Sequence, residues 1–535
     1  MNNYETAPES GTLAPELEQL AFFDASENLS MLTEILRGIE KEGLRSTFEG
    51  DLALSRHPSA LGSALTNSWL TTDFSESLLE FITPTFSSID GALEHLACAH
   101  SIVSHTLDDE LIWASSMPCR LPEDSRIPLA QYGSSNIATM KTVYRRGLAN
   151  RYGRAMQTVA GIHYNFSMPL RYFEACYEQR GSHQRSFDLQ TYINARYFDL
   201  VRNFRRNYWL LIYLFGAAPC VDHSFVQGRS HHLDALNHQD LYLPNATSLR
   251  MGDLGYQSAA QQSMFVCYNE LDTYIETLGQ AIKQPYPDYE KIGMVVDGVY
   301  QQLSTALLQI ENEFYSSIRP KRVTASGEKP LQALDKRGVQ YIEVRCLDLD
   351  PFSPIGIEAS TIRFLDAFLV YCLLRDSPLC NEDEFRRISI NQSRVVNEGR
   401  DPDLNILCGN KELRLRDCAN ELLQDIDRVA QTLDRAHQTA LYQQSVAEQQ
   451  RKVNDASLTP SAQVLQQMQD QQRCHLDWVG RQSLEHRESH RAYQADRALQ
   501  QRLSNECRES DLKREQIEAE DQVGFAQFLE DYFAG

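Results

Sequence analysis

The stretch GIEKEGLR, residues 38–45, decides the fold that we expect for this chain. It places Glu40 and Glu42 on either side of Lys41, in a segment that reads as an extended strand turning at Gly50. Side chains two positions apart on a strand share one face and lie roughly 6–7 Å from each other. Two carboxylates that close repel unless a cation lies between them or water surrounds both. Taken alone, the stretch favours a solvated strand face, with a cation site as the alternative.

The composition is that of a folded, acidic protein. The chain has 535 residues, 42% hydrophobic and 23% charged, which is enough for one large domain or two to three smaller ones. The formal net charge of −22 argues against general binding to nucleic acid or to anionic membranes. An anionic substrate would therefore need local positive charge from arginine, lysine or metal ions.

The sequence predicts a cytoplasmic protein. Its start, MNNYETAPES, lacks the basic and apolar parts of a secretory signal. The two most apolar runs, 208–221 and 364–374, are too short to span a bilayer, and we expect both in the core although the second contains Asp366. The 12 cysteines include no CxxC pair, which is typical of a reducing compartment.

Composition divides the chain into three segments. Residues 1–15 form a polar tail, residues 16–410 alternate β-like runs with helical stretches, and residues 411–535 are predicted to be a helical segment packed on that domain. In the last segment, Thr459 before Pro460 has the pattern of a helix start. His486 and His490 are four residues apart with no third ligand nearby, so we expect them on a solvated helix face.

Three further stretches carry polar side chains in the same kind of pattern. These side chains are His163, Asn165 and Ser167 in residues 161–168, Glu343 and Arg345 in residues 338–347, and Asp73, Glu76 and Glu80 in residues 71–81. An antiparallel sheet with one wet face explains the pattern. If the strands converge, however, their acids form a site for hard cations such as Mg²⁺, and an added histidine suits Mn²⁺.

Longer phrases then identify a family. They are GIEKEGLR, HPSALGSALTNSWLTTDFSESLLEFITP (57–84), LAQYGSSN (129–136), YRRGLANRYGRAMQTVAGIHYNFSMP (144–169), YLPNATSLRMGDLGY (242–256), LQIENEFYSSIRPKRVT (308–324) and YIEVRCLDLDPFSPIG (341–356). In this order they closely resemble the glutamate–cysteine ligases of proteobacteria. The resemblance covers roughly residues 25 to 532 and is weakest before Leu32 and after Asp403.

The resemblance implies an α+β fold like the catalytic part of glutamine synthetase. In it, a curved antiparallel sheet forms a funnel with helices packed outside, here with a helical C-terminal segment added. Residues 16–410 would be the catalytic ligase domain. The implied activity is ATP-dependent ligation of the L-glutamate γ-carboxylate to the L-cysteine amine through γ-glutamyl phosphate, the first step of glutathione biosynthesis. Mg²⁺, with Mn²⁺ as an alternative, would be the cofactor, and we expect a monomer.

Two alternatives to this activity stay open. The first is a γ-glutamyl ligase that uses a different acceptor amine, such as 2-aminobutyrate or ammonia. The second is a non-catalytic sensor of an amino acid or a nucleotide, which the loss of a metal-binding carboxylate would have supported.

The resemblance also implies roles for individual residues. The metal ligands would be Glu40, Glu42, Asp73, Glu80, His163 and Glu343. Arg345 would contact the nucleotide γ-phosphate, and Arg250 would hold an amino-acid carboxylate. The pocket for the acceptor side chain would be lined by Phe74, Tyr144, Leu148, Gln157, Tyr256 and Tyr315, with Arg145 beside it. Nucleotide phosphates would meet Arg319, Lys321 and Arg322, in what reads as a basic loop at 319–330.

Relatives carry a redox-sensitive cysteine pair in regions near Cys119 and Cys176. Cys119 fits that pattern, but Cys176 lies one position away from the place of its partner. We therefore expect two unrelated reduced thiols here.

Overall fold

The chain folds around an antiparallel sheet of seven strands, with the segment that contains Glu40 and Glu42 as a central strand. This is a computed structural model, and it describes residues 18–179, 188–255, 259–262, 264–325, 327–409 and 411–534. The strands are β1 Leu36–Thr47, β2 Leu70–Thr72, β3 Leu78–Ile82, β4 Glu110–Ile112, β5 Gly161–Ser167, β6 Cys220–Asp222, β7 Asp234–Ala235, β8 Asp240–Tyr242, β9 Val295–Val296, β10 Val299–Tyr300, β11 Ile318–Lys321, β12 Tyr341–Asp348, β13 Asn405–Cys408 and β14 Lys411–Arg414.

The strand order of the main sheet is β11–β12–β5–β1–β3–β2, and β4 pairs with the far end of β1. The remaining strands form three small sheets of two or three strands each. An irregularity interrupts the pairing of β12 with β5 between Val344 and Leu347. All pairings of β1 are antiparallel, as the alternation in its sequence predicts.

Helices surround the sheet and make the fold α+β. They are α1 Ser26–Met31, α2 Ile89–Thr106, α3 Asn136–Tyr152, α4 Leu170–Gln179, α5 Leu189–Asn207, α6 Trp209–Phe215, α7 Ala259–Gln262, α8 Leu271–Ala281, α9 Pro287–Ile292, α10 Pro330–Arg337, α11 Ala359–Leu374, α12 Glu382–Glu398, α13 Leu415–His437, α14 Leu441–Asn454, α15 Pro460–Asp470, α16 His475–Ala492, α17 Arg497–Glu520 and α18 Phe525–Ala534. Within the described residues, no helix combines the length and the apolar character needed to cross a bilayer.

The core lies on one face of the sheet. Ile39, Tyr164, Phe166, Ile342 and Val344 are fully buried there, in alternation with the polar side chains of the other face. Helices α2, α5 and α6 pack against the sheet, and α11 packs against α5, α13 and α14. The two apolar runs of the sequence are α6 and α11 with their flanks, and they are buried as expected.

The C-terminal segment is helical except at its start, where β14 pairs with β13 in a hairpin. The division expected after residue 410 falls inside this hairpin, and as a domain boundary it stays a prediction. The predicted helix start is confirmed, because the Thr459 hydroxyl accepts a hydrogen bond from the Ala462 backbone amide. The predicted N-terminal tail, residues 1–15, lies outside the described residues.

The solvated face expected for His486 and His490 is wrong. Both side chains are buried, and the His490 ring stacks on His100 of α2 with 4.6 Å between ring centroids. His490 Nε2 also lies 2.9 Å from the Pro354 carbonyl oxygen. Burial lowers the pKa of His486 to about 4 and that of His490 to about 3, so both rings are neutral at pH 7. Neutral imidazoles can be buried at a helix contact, which a count of polar residues does not reveal.

Candidate active site

The polar face of the sheet brings the acids of β1 next to those of its neighbours. Glu40 is opposite His163 of β5, and Glu42 is opposite Glu80 of β3. His163 Nδ1 lies 3.2 Å from Glu40 Oε2, and its Nε2 lies 3.6 Å from Glu42 Oε1. The two-residue spacing in the sequence therefore does place both carboxylates beside one imidazole.

Glu343 of β12 completes a group suited to a metal ion. It is opposite Asn165 of β5, and one ligand atom from each of Glu40, His163 and Glu343 lies within 4.8 Å of the other two. Asn165 Nδ2 donates a hydrogen bond of 2.8 Å to Glu40 Oε1, which orients that carboxylate. Glu343 Oε2 is buried and accepts no hydrogen bond from the described residues. A buried carboxylate oxygen of this kind needs positive charge nearby, and Arg345 Nη1 lies 3.2 Å from it.

Asp73 and Glu80 extend the negative charge toward β3. Burial raises the pKa of Glu80 well above its ordinary range, and the charges of Glu40, Asp73 and Glu42 raise it further. Burial likewise raises the pKa of Glu42, partly offset by the charge of His163. The proximity of these carboxyl groups makes the region unfavourable for anions without a compensating cation.

Basic side chains line the other edge of the same face. Arg345 Nη1 lies 3.2 Å from Glu343 Oε2, and Lys321 Nζ lies 3.3 Å from Glu343 Oε1. Burial by itself would raise the pKa of Glu343, but the charges of Lys321 and Arg345 hold it well below its ordinary value. Arg319 Nη1 is 4.0 Å from the same carboxylate, and its Nη2 donates to the carbonyls of Asn312 and Phe314. Acidic and basic groups thus meet at Glu343.

The three residues expected in a basic loop lie in two different settings in the structure. Arg319 and Lys321 belong to β11, so their side chains lie at the edge of the sheet rather than on a loop. Arg322 follows the strand, and its guanidinium donates to the Arg337 carbonyl at 2.8 Å. The expectation of a loop is therefore wrong for the first two, and Arg322 is not among the residues that meet at Glu343.

A cavity opens beside the acids, between the sheet and helix α3. Its lining includes most of the residues expected to bind substrate, together with further acidic and basic residues. These are Phe74, Tyr144, Arg145, Leu148, Gln157, Tyr315, Glu42, Asp73, Arg250, Arg319 and Arg345. Tyr144 and Leu148 are one helical turn apart on α3, and Gln157 Nε2 donates to the Tyr315 hydroxyl at 2.7 Å. Tyr256 lies outside the described residues.

Arg250 and Arg145, like Arg319, are fixed by backbone carbonyls. Arg250 Nη2 donates to the Leu347 carbonyl at 2.6 Å, and its Nε donates to Asp348 Oδ1 at 2.9 Å. Arg145 Nε donates to the carbonyl of Asp73, and its guanidinium lies 4.6 Å from the centre of the Tyr132 ring. The position of Arg145 therefore ties α3 to the segment that carries Asp73.

Glycine at position 161 leaves room for Arg250. A Cβ atom at Gly161 would be 2.7 Å from the Arg250 guanidinium carbon, so a larger residue would push the guanidinium away from its present position. The Gly161 backbone amide also donates to Glu42 Oε2 at 2.6 Å. The backbone at Gly161 thus contacts both the Arg250 guanidinium and the Glu42 carboxylate.

Three polar residues of the site are not predicted by the sequence pattern: Asn312, Glu313 and Asp348. Asn312 and Glu313 line the cavity, and Glu313 accepts hydrogen bonds from Arg151 and Tyr152. Asp348 holds Arg250. The sequence gives only a weak signal for each, because ENE forms a short helical turn and Asp348 is the last residue of the strand that contains Glu343.

Comparison with known proteins identifies the family. A family model described as glutamate-cysteine ligase matches residues 20–395, about 70% of the chain. A glutamate–cysteine ligase of Pseudomonas putida (strain W619) is 49% identical over 507 residues, covering 95% of this chain and 96% of the relative. The chain belongs to the glutamate–cysteine ligase family. A family member from Pseudomonas aeruginosa (strain LESB58) is also 49% identical, over 96% of this chain and 97% of its own.

Solved structures agree with this membership. The crystal structure of a glutamate–cysteine ligase from Francisella tularensis in complex with AMP has a TM-score of 0.87 and 36% sequence identity, covering 94% of this chain and 97% of that one. A bifunctional glutathione synthetase from Pasteurella multocida has a TM-score of 0.65 at 21% identity, over 87% of this chain and 53% of that one, and shows a shared fold.

Proposed function

We propose that this member of the glutamate–cysteine ligase family ligates the γ-carboxylate of L-glutamate to the amine of L-cysteine at the expense of ATP, through γ-glutamyl phosphate. This would be the first step of glutathione biosynthesis. The observation that carries the proposal is the cavity walled by α3, whose lining includes Glu42 of β1, Asp73 and Arg345 of β12. Close relatives over nearly the whole chain are named for this activity.

A carboxylate needs activation before an amine can replace one of its oxygens. Transfer of the γ-phosphoryl group of ATP to the glutamate γ-carboxylate gives a mixed anhydride whose leaving group is phosphate. The cysteine amine then attacks the carbonyl carbon, and phosphate departs. Catalysis of the first step depends on neutralising the negative charge of the phosphoryl oxygens.

The donor set fits Mg²⁺. Oxygens of Glu40 and Glu343, with His163, would hold it, and the close grouping of their ligand atoms supports this assignment. Glu42, Asp73 and Glu80 would complete the set. Bound there, Mg²⁺ would supply positive charge to the phosphate oxygens of ATP. The imidazole among the ligands also suits Mn²⁺.

Each basic side chain would bind a different anionic group of the substrates. Arg345 lies between Glu343 and His163 and would contact the γ-phosphate. Arg319 and Lys321, at the edge of the same sheet, would bind the other phosphates. Arg250 would bind an amino-acid carboxylate, because its guanidinium is already oriented by Leu347 and Asp348.

The cavity wall would select the acceptor. Phe74, Tyr144, Leu148 and Tyr315 give it apolar surface, and Gln157 adds a polar group bonded to Tyr315. A small, partly apolar pocket suits the CH₂–SH group of cysteine better than a larger side chain. Arg145 would keep this wall in place through its bond to Asp73.

Several finer features belong to the same proposal. The sheet would be the wall of a glutamine-synthetase-like funnel whose polar face is the active site. Residues 16–410 would be the catalytic domain, and 411–535 a segment packed on it. The protein would act as a monomer in the cytoplasm.

Phosphate release tests the proposal. Purified protein with ATP, Mg²⁺ and glutamate should release phosphate steadily when cysteine is added and far more slowly without it. 2-Aminobutyrate and ammonia, tested in place of cysteine, measure the acceptor preference. Equal rates with ammonia and cysteine would contradict the assigned acceptor, and no release with any amine would contradict ligase activity.

A further inference from the structure

Two thiols meet away from the active site, where the β13–β14 hairpin joins helix α13. Cys408 is the last residue of β13, and Cys418 lies in the first turns of α13. Their Sγ atoms are 2.7 Å apart. Within the described residues, no other pair of cysteine sulfurs is in contact. An approach of about 0.65 Å would bring them to the ~2.05 Å of a disulfide bond.

The hairpin explains why residues ten apart meet. Cys408 pairs with Lys411 across the turn at Gly409, where φ is +60°, and β14 leads directly into α13 at Leu415. The chain therefore reverses and brings the start of α13 back over the end of β13. The sulfur contact follows from this local path, so closing the bond needs no movement of distant parts of the protein.

Both sulfurs can be reached from a surface cleft. Cys408 and Cys418 line a cleft between the hairpin and helices α12 and α13, and Cys408 is the more exposed of the two. Three guanidinium groups also line it, those of Arg206, Arg375 and Arg387. Three carboxylates line it as well, those of Glu384, Glu421 and Asp425, and ion pairs join Glu384 to Arg206 and Asp425 to Arg375. The cleft therefore has groups of both signs able to meet the charged groups of a small thiol compound.

We propose that Cys408 and Cys418 are a thiol–disulfide exchange site for small charged disulfides. The Cys408 thiolate attacks one sulfur of the disulfide R–S–S–R, which breaks that bond, forms a mixed disulfide on Cys408 and releases one thiol RSH after protonation. The Cys418 sulfur, having lost its proton to solvent, then attacks Cys408 Sγ and releases the second RSH. The two cysteines are oxidised to one disulfide, and R–S–S–R is reduced to two thiols.

The surroundings of the two sulfurs favour Cys408 as the first to attack. The hydrogen bond from Cys418 lowers the pKa of Cys408, whereas the same bond and burial raise the pKa of Cys418. Cys119 provides the contrast, because it is fully buried and its pKa is raised by that burial. In a reducing compartment such a pair would be transient and redox-sensing rather than structural.

Peptide mapping tests the proposal on the full-length protein. The protein is incubated with glutathione disulfide under native conditions, blocked with an alkylating agent and digested with trypsin without reduction. We expect a cross-linked species joining peptide 401–411 to peptide 417–428, with a mass about 2 Da below the sum of the two peptides. Dithiothreitol should abolish it. Alkylation of both cysteines after this incubation, with no cross-linked species, would overturn the proposal.

Variants separate the two roles. Cys418→Ser should accumulate a glutathione adduct on Cys408, because the second attack is lost. Cys408→Ser should leave Cys418 without an adduct. Cys474→Ser, a change at another partly buried thiol, should leave the cross-linked species unchanged. An adduct on Cys418 in the Cys408→Ser protein would overturn the assignment of Cys408 as the attacking thiol. These readouts do not depend on ligase activity, so they stand apart from the proposed function.

Discussion

Arg37 of β1 and Asp366 of α11 form an ion pair in which neither side chain has exposed surface. Arg37 Nε donates to Asp366 Oδ2 at 2.8 Å, and the Tyr164 hydroxyl donates to the other carboxylate oxygen at 2.7 Å. The pair lies behind β1, on the face opposite Glu40 and Glu42. It therefore joins the strand that carries Glu40 and Glu42 to the core helix.

Asp366→Asn should destabilise the protein strongly, because it leaves the Arg37 charge buried without its partner. We expect a loss of roughly 3–5 kcal/mol in the free energy of unfolding, measured by urea denaturation. Asp403→Asn is a suitable control, since its ion pair with Arg414 is exposed and should be worth less than about 1 kcal/mol. Equal losses for the two variants would contradict a structural role for the buried pair.

Glu40→Gln should abolish amino-acid-dependent ADP release in a protein that stays folded. The amide keeps the shape of the side chain but removes the negative charge next to His163 and Glu343. We expect kcat to fall by a factor of 10² or more, on the order of magnitude seen when a preorganised charged group is lost from an active site. Glu49→Gln, on the exposed turn after β1, should keep normal turnover. A Glu40→Gln enzyme with normal turnover would show that the metal assignment is wrong.

Arg250→Lys should raise the KM for an amino-acid substrate by roughly 10- to 100-fold, because lysine cannot reproduce the planar contacts that orient the guanidinium. Circular dichroism should show an unchanged fold. Measuring KM separately for glutamate and cysteine will show which carboxylate Arg250 binds. Unchanged KM values for both substrates would remove Arg250 from the site.

Leu529→Ala should weaken cysteine binding although Leu529 is remote from the acids. Leu529 of α18 packs with Met140 and Val143 of α3, and Tyr144 packs against the same cluster. Loosening this support should raise the KM for cysteine by roughly 3- to 10-fold with a smaller effect on the KM for glutamate. Glu530→Ala, at the exposed neighbouring position, is the matched control. Parallel changes in both KM values would indicate a general loss of structure.

Stability should fall as the pH drops from about 6.5 toward 4. Burial lowers the pKa of His486 to about 4, whereas the unfolded chain has the ordinary value near 6.5. Between these values the unfolded state binds more protons, so the contribution of His486 is complete above pH 6.5 and is lost as the pH falls. We expect roughly 1–3 kcal/mol from this histidine, measured by urea denaturation at pH 7 and pH 4.5.

His486→Gln should reduce that pH dependence, and substitution of the exposed His231 should not. An identical pH dependence in the wild-type and His486→Gln proteins would show that His486 titrates normally in the folded state.

Local pattern predicted the polar face of the sheet well. Glu40, Glu42, His163 and Glu343 alternate with apolar residues, and a period of two assigns side chains to faces without knowledge of the tertiary structure. The irregularity after Val344 is where this reasoning fails. It changes the register of β12, so alternation could not show that Asp348 would hold Arg250.

Contacts between segments that lie far apart in the sequence could not be predicted from local patterns. The burial of His486 and His490 depends on α16 packing against α2, and nothing in their own helix indicates it. Arg319 and Lys321 read as loop residues because Pro320 lies between them, but an edge strand tolerates proline. The sequence does not indicate Cys408 and Cys418 as a pair, since only the path of the hairpin brings them together.

The start of α3 is joined to the segment that precedes α18. Asn136, the first residue of α3, donates through its side chain to the carbonyl of Val523, 387 residues further along. A contact between segments so far apart requires a very large loop to close, whereas β1 and β3 pair across a short one. We therefore expect α3 to gain this support later in folding than the central strands pair.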